Sequence, residues 1–234
     1  MADVLILAIE TATGCGGVAL TKGDRANGKV LAEYTLQPEQ THSRRLLGSV
    51  ATMMAAVGVG WAELDAVAVS LGPGSFTGLR IGLAAAKGIA MAARRPLLGV
   101  PTLDGLAAQV AASELPLCCL LDARKQQVYA AFYRVDGQSQ YLRTSEFLVL
   151  SAEQLVASIQ EPTLVVGPGV RACQPQLASH PQARLVATAM LHPRAAVVGL
   201  CAASMLIQGQ ADVDADNLVP LYVRASEAEL SLRH

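Results

Sequence analysis

Over the first hundred positions, apolar residues fall in short runs separated by glycine-rich or charged turns. "VLILAI" (4–9) has the length of a buried strand, and "GGVAL" (16–20) follows across a small turn. "VLAEYTL" (30–36) alternates and predicts a third strand. The period then changes. Leu46, Leu47, Val50, Met53, Met54 and Val57 recur at helical spacing behind the capping candidates Thr41 and Ser43, and Gly58 or Gly60 closes the run. "DAVAVSL" (65–71) predicts a fourth strand, residues 78–94 a second helix stopped by Pro96, and "LLGV" (97–100) a fifth strand.

The second half repeats this grammar. "LCCLLD" (117–122), "QVYAAFYRV" (127–135) and "YLRTSEFLVL" (141–150) predict three strands. Ser151 with Gln154 forms a capping box that opens a helix to about Ser158. "TLVVG" (163–167) is a strand ending in a glycine-proline-glycine turn, and a last helix runs from Pro193 to Gly209. "TLDGLAAQVAAS" (102–113) predicts a linking helix. Three strands, helix, strand, helix, given twice, predict two mixed α/β lobes, 1–101 and 102–234.

Two right-handed crossovers in the same direction place both helices of the first lobe on one face of its sheet. The second is apolar or small almost all round, with only Arg80 and Lys87 interrupting. Its surplus surface is covered either by another layer of its own domain or by another protein. Small residues such as Gly82, Ala86 and Ala93 would allow close helix approach. Positions expected to turn away from the sheet are Leu47, Val50, Met54 and Val57 on the first helix. On the second they are Arg80, Leu83, Ala84, Lys87 and Met91. Leu83→Asp is the corresponding test of docking.

Composition narrows the choice of partner. Hydrophobic residues make up 52% and charged residues 16% of the chain, and the net charge is -1, so no surface is expected to grip nucleic acid unaided. Arg44-Arg45 and Arg94-Arg95 read as solvated helix ends. "VLILAIE" is too short for a signal core, and no apolar run of membrane-spanning length escapes interruption by Gly, Lys or Arg. Five cysteines, an odd count, argue against a disulfide framework, and the adjacent Cys118 and Cys119 are expected on opposite faces of one strand. These features together predict a cytoplasmic protein. His42, His180, His192 and His234 are scattered without ligand spacing, so no metal is expected.

Two first-lobe loops have the chemistry to meet a phosphate. "IETATGCGG" (9–17) places Glu10 at a strand end, followed by Thr11, Thr13 and glycines in a hairpin; the acid could hold a metal while backbone N–H groups meet an anion. "GPGSFTG" (72–78) sets Gly72, Gly74, Ser75 and Thr77 at a helix N-terminus. The alternative is a tight hairpin and an N-capped helix. Neither loop is a Walker motif, because no GK[ST] follows.

Through "LAIETATGCGGVAL", "QTHSRRLL", "SLGPGSFTGLRIGLAAAKGIA", "LLGVPTLDGLA", "LLDARKQQVYAAFY" and "LVPLYVRASE", nearly the whole chain resembles the TsaB (YeaZ) family. Its members assist in forming threonylcarbamoyladenosine in tRNA. The resemblance implies an actin-like ATPase (ASKHA) fold, shared with acetate kinase and Hsp70, and a heterodimer with the paralogue TsaD through the N-terminal helices. TsaD-type proteins carry a paired-histidine metal motif on the first helix; here His42 stands alone, so neither metal nor transferase chemistry is expected. No His-Glu-x-x-His supports a protease. "VVGPGVRACQPQL" (165–177), with Gly167 and Gly169, falls where an adenosine-binding loop would lie. Pro168 and Arg171 depart from the paralogue's glycine-rich pattern. No tightly bound cofactor is therefore expected, and at most weak ATP or ADP with Mg. A separate enzyme makes threonylcarbamoyl-adenylate, and TsaD transfers the group to the adenosine beside the anticodon of tRNAs reading codons that begin with A. The resemblance thus implies a noncatalytic scaffold, with the ATPase TsaE expected to join the assembly, tRNA contacted indirectly, and self-association when TsaD is absent. The rival reading is a small ATP-dependent phosphotransferase using Glu10 and the two loops.

Overall fold

Strand β1 (Leu5–Glu10) is buried along its whole length, so both faces of the sheet around it are covered. The computed structural model of the chain describes residues 3–36, 43–186, 191–210 and 217–224. The expectations for Thr41, His42 and His234 lie outside them. Antiparallel to β1 runs β2 (Gly16–Lys22), and antiparallel to β2 runs β3 (Lys29–Leu36). On the other side, β4 (Ala66–Gly72) and β5 (Leu97–Pro101) join in parallel, giving the order β3-β2-β1-β4-β5. Helices α1 (Ser43–Val57) and α2 (Phe76–Ala93) supply the two crossovers. Leu5, Leu7 and Ile9 share one cluster with Val50, Met53 and Met54 of α1 and with Leu83, Ala86 and Ile89 of α2. Both helices thus lie on one face of the sheet, as the crossover rule requires.

Strands β6 (Leu117–Asp122), β7 (Gln127–Val135), β8 (Tyr141–Arg143), β9 (Leu148–Ser151), β10 (Thr163–Val166) and β11 (Ala183–Leu185) build the second sheet. Its order is β11-β10-β6-β7-β8, with β9 also paired to β7. Taking β8 and β9 as one interrupted strand, this repeats the first sheet: third, second, first, fourth, fifth. The expected strand 141–150 is broken because residues 144–147 bend away; Ser145 and Thr144 bond the Phe132 backbone there instead of continuing the ladder. Helix α3 (Thr102–Ala107) is shorter than the expected 102–113. Helix α4 (Ala152–Ser158) opens with the expected capping box, in which the Ser151 hydroxyl accepts the Gln154 N–H and the Gln154 side chain accepts the Ser151 N–H.

A 3-10 helix (Pro168–Cys173), α5 (Gln174–Ser179) and β11 were not expected. Pro175 and short apolar spacing hide a helix of only six residues. Cys118 belongs to the core beneath α4 and α5, whereas the equally buried Cys119 does not, as their adjacency implied.

The largest departure concerns the last helix, α6 (Ala195–Ile207). The chain divides into Met1–Gly105 with Pro193–Pro220, and Leu106–His192 with Leu221–His234, and not at 101/102 with everything later in one lobe. Val198, Ala202 and Ala203 of α6 pack against Ile6, Ala8, Ala66, Ala68, Leu98 and Val100, the first sheet's second face. A Cβ at Gly199 would fall 2.5 Å from the Thr21 hydroxyl, so α6 can settle this closely only with glycine there. Glu33 anchors its start, accepting from Arg194 Nε and from the Ala196 N–H, each at 3.0 Å. A helix apolar all round is expected when a sheet claims one side and its own lobe's loops another. Among the described helices, α2 alone is long and apolar enough to cross a membrane by length and composition, yet its Leu79, Leu83, Ala86, Ile89 and Ala90 are buried within the fold.

Candidate functional site

The first-lobe loops come together as a packed unit. Gly78 and Gly82 are one helical turn apart and share one side of α2, and Gly74 precedes its cap in the same direction. That side lies on the β1–β2 turn: a Cβ would meet the Ala12 carbonyl at 2.3 Å, the Thr11 carbonyl at 2.1 Å and the Thr11 hydroxyl at 2.1 Å, respectively. Thr11 donates its hydroxyl proton to the Gly78 carbonyl (2.8 Å), and Ser75 donates its N–H to Ala12 (2.7 Å). Ser75 then caps α2, its hydroxyl accepting the Gly78 N–H at 3.3 Å. Thr13 stays within its own turn, bonded to Cys15. Gly72, at φ 111°, donates its N–H to the Thr102 hydroxyl (3.1 Å). Gly82 therefore serves this turn and not a neighbouring helix. The four-residue spacing of the three glycines was the signal for it.

Glu10 is 1% exposed. Its Oε1 accepts the Ala12 N–H at 2.5 Å and its Oε2 accepts the Ser70 hydroxyl, a partner the sequence did not suggest. Burial pushes the carboxyl up to about 7, against the lowering effect of both hydrogen bonds. Both carboxylate oxygens are thus engaged by protein donors inside the lobe. Ser75 and Thr77 are exposed at the helix start.

The second lobe treats its glycine-proline-glycine turn alike. Gly167 sits at φ 103°, where a Cβ would meet the Leu120 carbonyl at 2.3 Å, and one on Gly169 would lie 2.8 Å from the Leu121 backbone. Both glycines let the turn close on β6. Among the described residues, no group of three or more His, Cys, Asp or Glu is placed to hold a metal ion.

The outer face of α1 and α2 divides the expected docking residues. Leu47 (57% exposed), Arg80, Ala84 and Met91 (80% exposed) face outward, and Val57 and Lys87 are half-buried. Val50, Met54 and Leu83 are corrections: all three are buried in the lobe's own core, because the sheet claims the stripe they occupy. Leu83→Asp therefore tests folding and not docking. Gly48, Ala51 and Ala55 on α1 and Gly88 on α2 are exposed and were not singled out. Among the described residues, nothing beyond the neighbouring turns of its own helix lies within 4 Å of a Cβ placed on Gly48 or Gly88. On α2, Ala84 and Gly88 form a low stretch between the longer side chains of Arg80 and Met91, to which another backbone can come close. Arg80 lies over the Phe76 ring, 3.9 Å from its centroid.

The chain as a whole is similar to known proteins. A family profile described as tRNA N6-adenosine threonylcarbamoyltransferase, TsaD, matches residues 29–232. The tRNA threonylcarbamoyladenosine biosynthesis protein TsaB of Escherichia coli is 32% identical over 228 residues, covering 95% of this chain and 96% of that protein. The Bacillus subtilis protein of the same name is 28% identical, with 96% of each chain covered. Among solved structures, YeaZ from Pseudomonas aeruginosa superposes with a TM-score of 0.75 at 27% identity, covering 94% of this chain and 100% of that one.

Proposed function

The chain belongs to the TsaB (YeaZ) family, and from that premise we propose that the exposed face of α1 and α2 is where it holds its paralogue TsaD. The protein is a noncatalytic partner of TsaD in forming threonylcarbamoyladenosine in tRNA, within an actin-like two-lobe fold. The observation that carries the docking reading is the stretch of Ala84, Gly88 and Met91, apolar and exposed although its helix is otherwise built into a core. A paralogue of the same fold would present equivalent helices, and two such pairs can pack as a four-helix layer. The same face would join two copies of this chain when TsaD is absent. TsaE joins the resulting assembly, in the cytoplasm. The substrate adenosine is the one beside the anticodon of tRNAs reading codons that begin with A.

Nucleotide plays a minor part in this reading. The filled glycine side of α2 and the occupied Glu10 carboxyl support weak binding of Mg-ATP or Mg-ADP at most, and they disfavour the phosphotransferase alternative. The test is capture of TsaD by Met91→Asp and Ala84→Arg variants, whose exposed sites leave folding intact. Capture should fall by roughly tenfold or more, since a buried unpaired charge at an interface centre costs a few kcal/mol. Undiminished capture by both folded variants would place the docking surface elsewhere.

A further inference from the structure

The turn between β6 and β7 has a sequence that its backbone does not suit. Gln127 donates its N–H to the Arg124 carbonyl and Ala123 donates to Gln127, each at 3.0 Å, so residues 124–127 form a tight reverse turn. Arg124, Lys125 and Gln126 lie at φ 63°, 51° and 58°. Successive left-handed residues at a hairpin belong to Asn and Gly, which adopt them at little cost. Here all three are long, polar and exposed, so no core contact accounts for the choice. Strain kept where packing does not demand it points to use.

Two of the three are cations, and the fold adds another. Arg224 reaches the Ala123 carbonyl from Nη1 at 3.4 Å, and its charge acts on the Tyr129 hydroxyl next to the turn. Asp122, at the start of the turn, accepts the Arg124 N–H at Oδ1 (2.7 Å). Arg124 and Lys125 thus sit on the turn itself and Arg224 beside it, on a chain whose overall charge is -1.

We propose that this turn is a phosphodiester contact, in which Arg124, Lys125 and Arg224 meet backbone phosphates of the tRNA that the assembly modifies. The inference rests on the family reading above, and it replaces the expectation that tRNA touches this chain only indirectly. A contact of two or three phosphates does not by itself hold a tRNA. It fixes the register of one already gripped elsewhere.

The test is tRNA retention by the complex of this chain with TsaD and TsaE, across a salt series. Substituting Arg124→Gln with Lys125→Gln should weaken binding about tenfold at low salt and reduce the slope of log K against log salt by about two. Arg184→Gln, an exposed cation on β11, should change neither. Lys125→Asn with Gln126→Gly relaxes the backbone while removing one charge. It should weaken tRNA binding about threefold even as the turn becomes more stable, which a purely structural turn would not do. Binding equal to wild type in the double glutamine variant, or an equal loss in Arg184→Gln, overturns the inference. TsaD capture is scored on the same samples: intact capture with unchanged tRNA binding rejects the tRNA contact alone. Failed capture by the unaltered chain rejects the docking reading and, with it, a contact that only positions a tRNA held by the assembly.

Discussion

The two lobes share one strand order and end their first strands in opposite ways. In the first, β1 ends in Glu10, buried and enclosed by Ala12 and Ser70; in the second, β6 ends in Asp122, exposed and bonded to its own turn. The hairpin after Glu10 is folded under α2, whose glycines admit it. The hairpin after Asp122 stands out in solvent with its cations. One topology thus carries a sealed turn and an open one. The sealed turn supports a long helix with a free outer face, and the open turn is where charge accumulates.

The contrast breaks most directly at the glycines. Gly78→Ala should destabilise by about 3 kcal/mol or more, because its methyl would strike the Thr11 backbone and not a side chain that can move. Gly169→Ala, 2.8 Å from backbone, should cost somewhat less; urea unfolding of both variants checks the order.

Glu10→Gln sharpens the contrast through pH. A carboxyl raised from 4.5 to about 7 keeps more protons folded than unfolded in that interval, so stability falls as pH rises through it. The loss is on the order of 3 kcal/mol by pH 8, and Glu10→Gln should abolish that slope and raise the melting temperature at pH 8. Asp122→Asn, with its exposed carboxyl, should leave the slope intact. At the open turn, Lys125→Asn with Gln126→Gly should stabilise by about 1 kcal/mol in the same assay. Smallest is Gly88→Ala, which fills open space in α2 and should add about 0.5–1 kcal/mol while weakening TsaD capture by crowding the low stretch.

The sequence displayed the sheet order of the first lobe almost entirely, because each strand is a separate apolar run and each crossover a long amphipathic helix. It showed less of the second lobe, where short elements such as α5 and β11 leave too few residues for a period to emerge. Helix outer faces were half legible. Periodicity located α2, but its apolar content left no contrast to orient it, and Leu83 was assigned to the wrong side. Ser70 was invisible as the partner of Glu10, since the pairing joins strands sixty residues apart. The Arg124–Gln126 turn went unmarked because left-handed conformation is normally announced by glycine or asparagine, and neither is there.

Helix α6 ties the beginning of the polypeptide to its far end. During synthesis, Ile6 and Ala8 emerge from the ribosome nearly two hundred residues before the segment that shields them, and Ala66 and Ala68 about 130 residues before it. The nascent amino-terminal half must therefore wait, greasy on one flank, and chaperone occupancy of that flank should end only once residue 207 has cleared the exit tunnel.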